Sequence, residues 1–257
     1  MNFIRILAIA TNGFREVIRD RILYVLGFFV LLLVLASRIL PPIAVSADGK
    51  IFLDLGIGAI SLLGAIVAIF VGTGLINKEI EKRTVLILVP KPLTTTEFIL
   101  GKHLGLSGVL FVLVGTMTTF YFILMNLLGI TYPFQSLLIA ITYILLELML
   151  LIAIAMTFGV FTSSILATLL SFGVYIMGHL SKDLLELGKI TENVGIERIT
   201  KTLFLILPDL ERLNLKNEAV YNILPNTGEL INSLIYGVLY IILLLTITIT
   251  IFSRRQF

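Results

Sequence analysis

Cysteine is absent from the 257 residues. That excludes a disulfide framework, a thiolate metal site and a cysteine nucleophile. Histidine occurs only twice, too few for a multi-histidine metal centre. Charge is scarce as well: Asp, Glu, Lys and Arg make up 14% of the chain, against about 25% in soluble domains. The deficit is uneven. Several stretches of about twenty residues hold one charge or none, and that is the length needed to cross a hydrocarbon core. Apolar residues take the remaining space, at 58% of the chain with a mean hydropathy of +1.08. Lipid is therefore the solvent for most side chains. The net charge of +3 gives no reason to expect a nucleic-acid partner. It matters for where Lys and Arg fall relative to the bilayer.

Catalytic signatures are missing too. Gly101-Lys102-His103 lacks the earlier glycine and the hydroxyl of a phosphate-cradling loop. There is no HExxH, no GxSxG and no paired-aspartate motif for magnesium. Glu79 and Glu81 are two residues apart, which on a helix turns them to different faces. No catalytic, cofactor-binding or metal-binding residues are expected on this chain.

The expected fold is all-α, a single transmembrane domain over residues 1–257. Six spans are placed at about 22–40, 52–76, 104–129, 137–161, 164–181 and 232–252, each close to the ~20 residues a crossing needs. The run 137–181 as one helix would be about 66 Å long, so it must turn, and Thr162-Ser163-Ser164 is its polar break. Ahead of the spans, residues 1–21 read as an amphipathic interfacial helix. Phe3, Leu7, Ala10, Phe14 and Val17 share one face, with Arg5, Asn12, Glu16, Arg19 and Asp20 opposite. The stretch is too long and too amphipathic for the start of a signal peptide.

Lys and Arg set the orientation. With the N-terminus in the cytoplasm, the inside segments hold Arg5, Arg15, Arg19, Arg21, Lys78, Lys82, Arg83, Lys91, Lys102, Arg254 and Arg255, whereas the short outside loops hold only Arg38 and Lys50. Both termini are expected on the cytoplasmic side of the plasma (inner) membrane. Residues 77–103 then form a cytoplasmic loop and 182–231 an extracytoplasmic one. In the latter, Ile196, Ile199, Leu203 and Ile206 recur at helical spacing before Pro208. They predict a short helix at the outer leaflet.

Three further features stand out. Gly64, Ala68 and Gly72 form a row of small residues that lets helix backbones approach closely in lipid. Glu147 lies in the middle of TYILLELMLLI, where a charge costs about 2.5–3.5 kcal/mol on insertion scales. It reads either as a pathway-lining residue or as a structural hydrogen-bonding group. Asp54, His103 and His179 lie towards span ends and read as interfacial.

The loop 77–103, NKEIEKRTVLILVPKPLTTTEFILGKH, is the most informative stretch. Alternating charges precede the apolar run Val85–Val89 and the Pro90-Lys91-Pro92 break, and Thr94 to Thr96 with Glu97 make a helix N-cap signal. An apolar run on a cytoplasmic loop calls for a partner. On Glu79, Glu81, Lys82, Arg83, Thr84, Leu86 to Val89, Pro90, Lys91, Pro92, Thr94, Glu97, Phe98, Gly101 and Lys102, the chain resembles the ABC type 2 permeases, the transmembrane subunits of ATP-binding-cassette exporters. The amphipathic N-terminus resembles that family's elbow helix. Leu207-Pro208-Asp209-Leu210-Glu211 resembles its segment before the last span, and Phe252-Ser253-Arg254-Arg255-Gln256-Phe257 its basic C-terminus.

The resemblance implies a non-catalytic subunit that pairs with a second permease, identical or paralogous, to form a pathway. It implies two ABC ATPase subunits that carry ATP and Mg. The docking site for them would be a coupling element comprising Glu79, Glu81, Arg83, Thr84, Val85, Leu86, Leu88, Pro90 and Lys91. Two other classes compete. A secondary transporter would show internal repeats and broken helices, and neither is evident. A membrane-embedded enzyme would need a polar partner for Glu147 at the same depth.

Overall fold

The computed structural model describes residues 3–20, 22–43, 48–81, 94–190 and 194–254. Among them the regular structure is helical: α1 (Phe3–Asp20), α2 (Ile22–Ile43), α3 (Asp48–Glu81), α4 (Thr95–Leu128), α5 (Phe134–Phe161), α6 (Ser164–His179), α7 (Ser181–Ile190), α8 (Val194–Ile206), a 3-10 turn at Leu210–Leu213, α9 (Lys216–Tyr221) and α10 (Thr227–Arg254).

Helix α5 is the axis of the bundle. Every residue from Leu150 to Met156 is buried. A helix enclosed on all sides must be apolar all round, and the sequence supplies Leu, Ile, Ala and Met there. The helix packs against α3, α4, α6 and α10. Its closest neighbour is α3, where the Gly64–Ala68–Gly72 row faces it. A Cβ on Gly64 would stand 2.6 Å from Leu148 Cδ1, and one on Gly72 2.8 Å from Ala155 Cβ.

Turn chemistry fixes where the helices stop. Gly129, at φ +69°, ends α4 in the left-handed conformation that glycine adopts freely. At the polar break Thr162-Ser163, the Thr162 N–H donates to Phe158 O (3.0 Å) before α6 begins at Ser164.

Among the described residues, four helical stretches are long and apolar enough to cross a membrane: Gly49–Gly74, Thr95–Leu128, Phe134–Phe161 and Thr227–Arg254. A fifth crossing is made if Ser164–His179 and Ser181–Gly188, bent by 63° to each other, act as one span. By length and composition, four or five of the six expected crossings are accounted for among the described residues. Helix α2 (Ile22–Ile43) has 22 residues, and within it Tyr24–Ile39 is a shorter apolar stretch among the described residues.

The expected boundaries shift as well. Residues 95–103, assigned above to the loop 77–103, are the first turns of α4, because Thr94 caps the helix there. Helix α3 runs on to Glu81. Each of these helices has 34 residues, about 51 Å at 1.5 Å per residue, well beyond the ~30 Å of hydrocarbon. The segment 182–231 divides in two. Helices α7 and α8 pack mainly on each other, with Leu187, Ile190, Ile199, Leu205 and Ile206 exposed. Residues 207–222 instead fold into the bundle and bury Leu210, Leu213, Leu215, Ala219 and Val220.

Helix α1 divides its apolar residues between the bundle and the outside. Ile6, Gly13 and Val17 are buried, whereas Phe3, Ile4 and Leu7 are exposed. The helix lies in a furrow of α4 made by Gly101, Gly105 and Gly108. A Cβ on Gly105 would stand 2.5 Å from Ala10 O and 3.1 Å from its Cα. Backbone atoms cannot swing aside as a side-chain tip can. Gly105→Ala is therefore expected to cost about 1–3 kcal/mol, read as a lower Tm of the lipid-reconstituted chain. Gly115→Ala, where a Cβ meets nothing within 4 Å, serves as the control and should hold or raise Tm. Equal Tm for the two variants would refute the furrow.

Candidate functional site

Two places on the bundle concentrate polar groups. The first is the start of α4. Thr94 Oγ1 accepts the Glu97 N–H (3.2 Å), and Glu97 Oε2 accepts the Thr94 N–H (3.2 Å). This reciprocal pair satisfies two of the donors that a helix start leaves open. Glu97 is buried, and Arg5 Nη1 of α1 lies 4.0 Å from its Oε2. Phe98 stacks on Phe252 of α10 at 5.7 Å between centroids, and Lys102 Nζ lies 5.8 Å from the Phe98 ring. Helices α1, α4 and α10 are thus pinned together where residues 82–93 rejoin the bundle.

Of the residues expected to form a coupling element, Glu79 and Glu81 lie in the last turns of α3. Arg83, Thr84, Val85, Leu86, Leu88, Pro90 and Lys91 lie outside the described residues. The Thr94–Glu97 cap was legible as a pattern; the Arg5 contact was not, since it joins residues 92 positions apart in the chain.

The second place lies inside the bundle. Glu147 of α5 has no exposed surface. In this conformation it faces α6 and the inward-folded segment of its own subunit. His179 Nε2 of α6 is 3.4 Å from its Oε1. The imidazole rests edge-on against the Tyr175 ring (4.7 Å between centroids), and its Nδ1 is 3.1 Å from Tyr175 O. Lys216 of α9 reaches Ser61 of α3, with Nζ and Oγ 3.2 Å apart. Asp209 accepts bonds from Ser181 Oγ (3.0 Å) and Arg212 Nε (3.0 Å), and its N–H donates to Tyr236 of α10 (2.8 Å).

His103 and His179 were both expected at the interface. His103 is buried in α4 with Nε2 3.1 Å from Met149 O of α5, and His179 Nε2 lies 3.4 Å from Glu147 Oε1. Both had been judged by nearness to a span end, whereas α4 and α6 pack those turns against α5. Among the described residues no group of three or more His, Cys, Asp or Glu could hold a metal ion. Nor do these groups form a nucleophile–base arrangement; they tie helices together.

Two grooves mark the outer surface. One of about 410 Å³ lies along α4 from Phe111 to Ile123, and one of about 330 Å³ lies between α2 and Leu55 of α3.

Thr94→Ala is expected to remove the cap at about 1 kcal/mol and to speed amide exchange at Glu97 several-fold. Hydrogen exchange resolved to the first turn of α4 measures this, and an unchanged Glu97 amide would show that the cap contributes nothing.

Residues 7–257 match the model of a protein family described as ABC-2 family transporter protein. Among curated proteins, none matches the chain in sequence.

Proposed function

The chain belongs to the ABC-2 family of transporter proteins, a multi-pass membrane permease, and on that premise we propose that it is the pathway-forming subunit of an exporter driven by separate ATPase chains. Two ATPase subunits carry ATP and Mg and dock on the cytoplasmic face. The permease pairs with a second copy or a paralogue. Helix α2 supplies the sixth crossing, α1 is the elbow helix, and both termini are cytoplasmic at the plasma membrane.

The observation that carries this reading is the pair of 34-residue helices α3 and α4. They outreach the bilayer at the ends joined through residues 82–93. Any force applied there acts on two stiff levers that run the full depth of the bundle. The capped, buried start of α4 passes the displacement on to α1 and α10 rather than absorbing it. A motor that binds that region more tightly in one state than in another shifts the equilibrium between them. The apolar run Val85 to Val89 is the grip, supported by Glu79, Glu81, Arg83, Thr84, Pro90 and Lys91. The pathway itself lies between two subunits, a reading supported by α5 being enclosed from Leu150 to Met156 and by the grooves along α4 and α2 opening outward.

Leu86→Asp and Leu88→Asp are expected to cut recovery of the ATPase with the affinity-tagged chain by roughly tenfold or more, equivalent to ~1.4 kcal/mol. The level of the permease in the membrane should hold. Full recovery in both variants would end the docking assignment.

A further inference from the structure

Glu147 lies well inside α5 (Phe134–Phe161), about 20 Å along the helix from its start at 1.5 Å per residue. Neither carboxylate oxygen has a hydrogen-bond partner, and His179 Nε2 also lacks one although it is 3.4 Å from Oε1. The other ring nitrogen, Nδ1, lies 3.1 Å from Tyr175 O. A carbonyl oxygen only accepts, so Nδ1 carries the imidazole proton. In the neutral ring this leaves a lone pair on Nε2 facing the carboxyl group.

The remaining surroundings supply no hydrogen-bond donor to that group. From α9, Lys216 is close enough to attract it, but its ammonium is engaged with Ser61 Oγ of α3 (3.2 Å). From the 3-10 segment, Glu211 and Asp209 add negative charge near the pair. Arg212 is engaged by Asp209 (3.0 Å). Tyr175 of α6 packs on the imidazole. Tyr236 of α10 bonds the Asp209 N–H, and His103 of α4 bonds Met149 O. An ionised carboxylate with no donor, set against a lone pair in an apolar bundle, is the arrangement that buried charges avoid.

We propose that Glu147 is a proton-binding site: its carboxyl group is held as the neutral acid, with the proton directed to Nε2 of His179, and release of that proton to water loosens α6 and the inward-folded segment from α5. The pair clamps the fourth and fifth crossings of the proposed scheme while the proton is in place. Deprotonation sets a full negative charge against the Nε2 lone pair, with Glu211 opposing it and Lys216 attracting it, and movement of α6 away from α5 admits the water that a buried charge requires. The site requires no ATPase, so it stands or falls apart from the docking assignment.

The test uses infrared spectroscopy of the full-length chain in lipid nanodiscs, titrated from acid to alkaline pH. The wild-type spectrum should contain a protonated-carboxyl C=O band that fades as pH rises. Glu147→Gln should remove the band and Glu147→Asp should shift it. A folded state that keeps a carboxyl proton binds more protons than the unfolded chain, so stability falls as pH rises until the site deprotonates. Wild-type Tm should therefore decline with pH relative to Glu147→Gln, whose amide cannot ionise. A spectrum without such a band, or a band untouched by both substitutions, means an ionised carboxylate and overturns the proposal. Should the Glu147 variants fail to assemble, His179→Gln carries the test. The band must then move in frequency, and an unmoved band overturns the pairing.

Discussion

Within a bilayer, helices gain little by hiding apolar surface from one another, because the lipid tails are as apolar as leucine. What holds them is close approach, and α5 shows where it is achieved. Gly64 and Gly72 of α3 bring backbone against Leu148 and Ala155, with Ala68 buried between them. Thr157 meets Thr248 of α10 at 2.9 Å, Thr73 of α3 meets Thr168 of α6 at 2.9 Å, and Tyr121 of α4 donates to Leu53 O of α3 at 2.8 Å. Such interhelical bonds average about 0.6 kcal/mol, so the small residues that permit contact matter more than any one bond.

The same setting governs the polar side chains. Most hydroxyls on these helices bond back to the carbonyl three or four residues earlier, as Thr116, Thr119, Thr142 and Ser171 do. A hydroxyl satisfied this way is no burden in lipid and carries no message between helices. Glu147 cannot reach its own backbone in that way. Its neighbours are drawn from α3, α6, α9 and the 3-10 segment, and that convergence makes the interior of this bundle chemically different from its walls.

Much of the architecture was legible because bilayer thickness turns composition into length. The runs around 52–76, 104–129, 137–161 and 232–252 lie within α3, α4, α5 and α10, and the break at Thr162-Ser163 separates α5 from α6. The family was legible through 77–103 and its flanks, and the match over residues 7–257 agrees with it. Three things were not legible. Helix lengths beyond the bilayer are set by caps and water rather than hydropathy, so the run of α3 as far as Glu81 and the start of α4 at Thr95 were missed. The seam of α1 with α4 was not foreseen, because a helix with apolar residues beyond one face does not reveal in sequence which of them meet protein. The company of Glu147 was hidden most completely. Ser61, His179 and Lys216 are scattered along the chain, and only the inward fold of residues 207–222 brings Lys216 near.

The seat of α1 on α4 sets a limit on how the bundle can flex. At Gly105 the two backbones are close enough that no side chain intervenes, and Arg5 with Glu97 ties the other end of the contact. Phe3, Ile4 and Leu7 of α1 are exposed, an apolar edge suited to the acyl boundary. With α1 as the elbow helix of the proposed scheme, a rocking motion of α4 would drag that edge through the headgroups, as an outrigger follows its hull. In that scheme lipid packing at one leaflet would act as a brake on the helix, and the stiffness of the surrounding membrane would enter the energetics of a motion that begins in water.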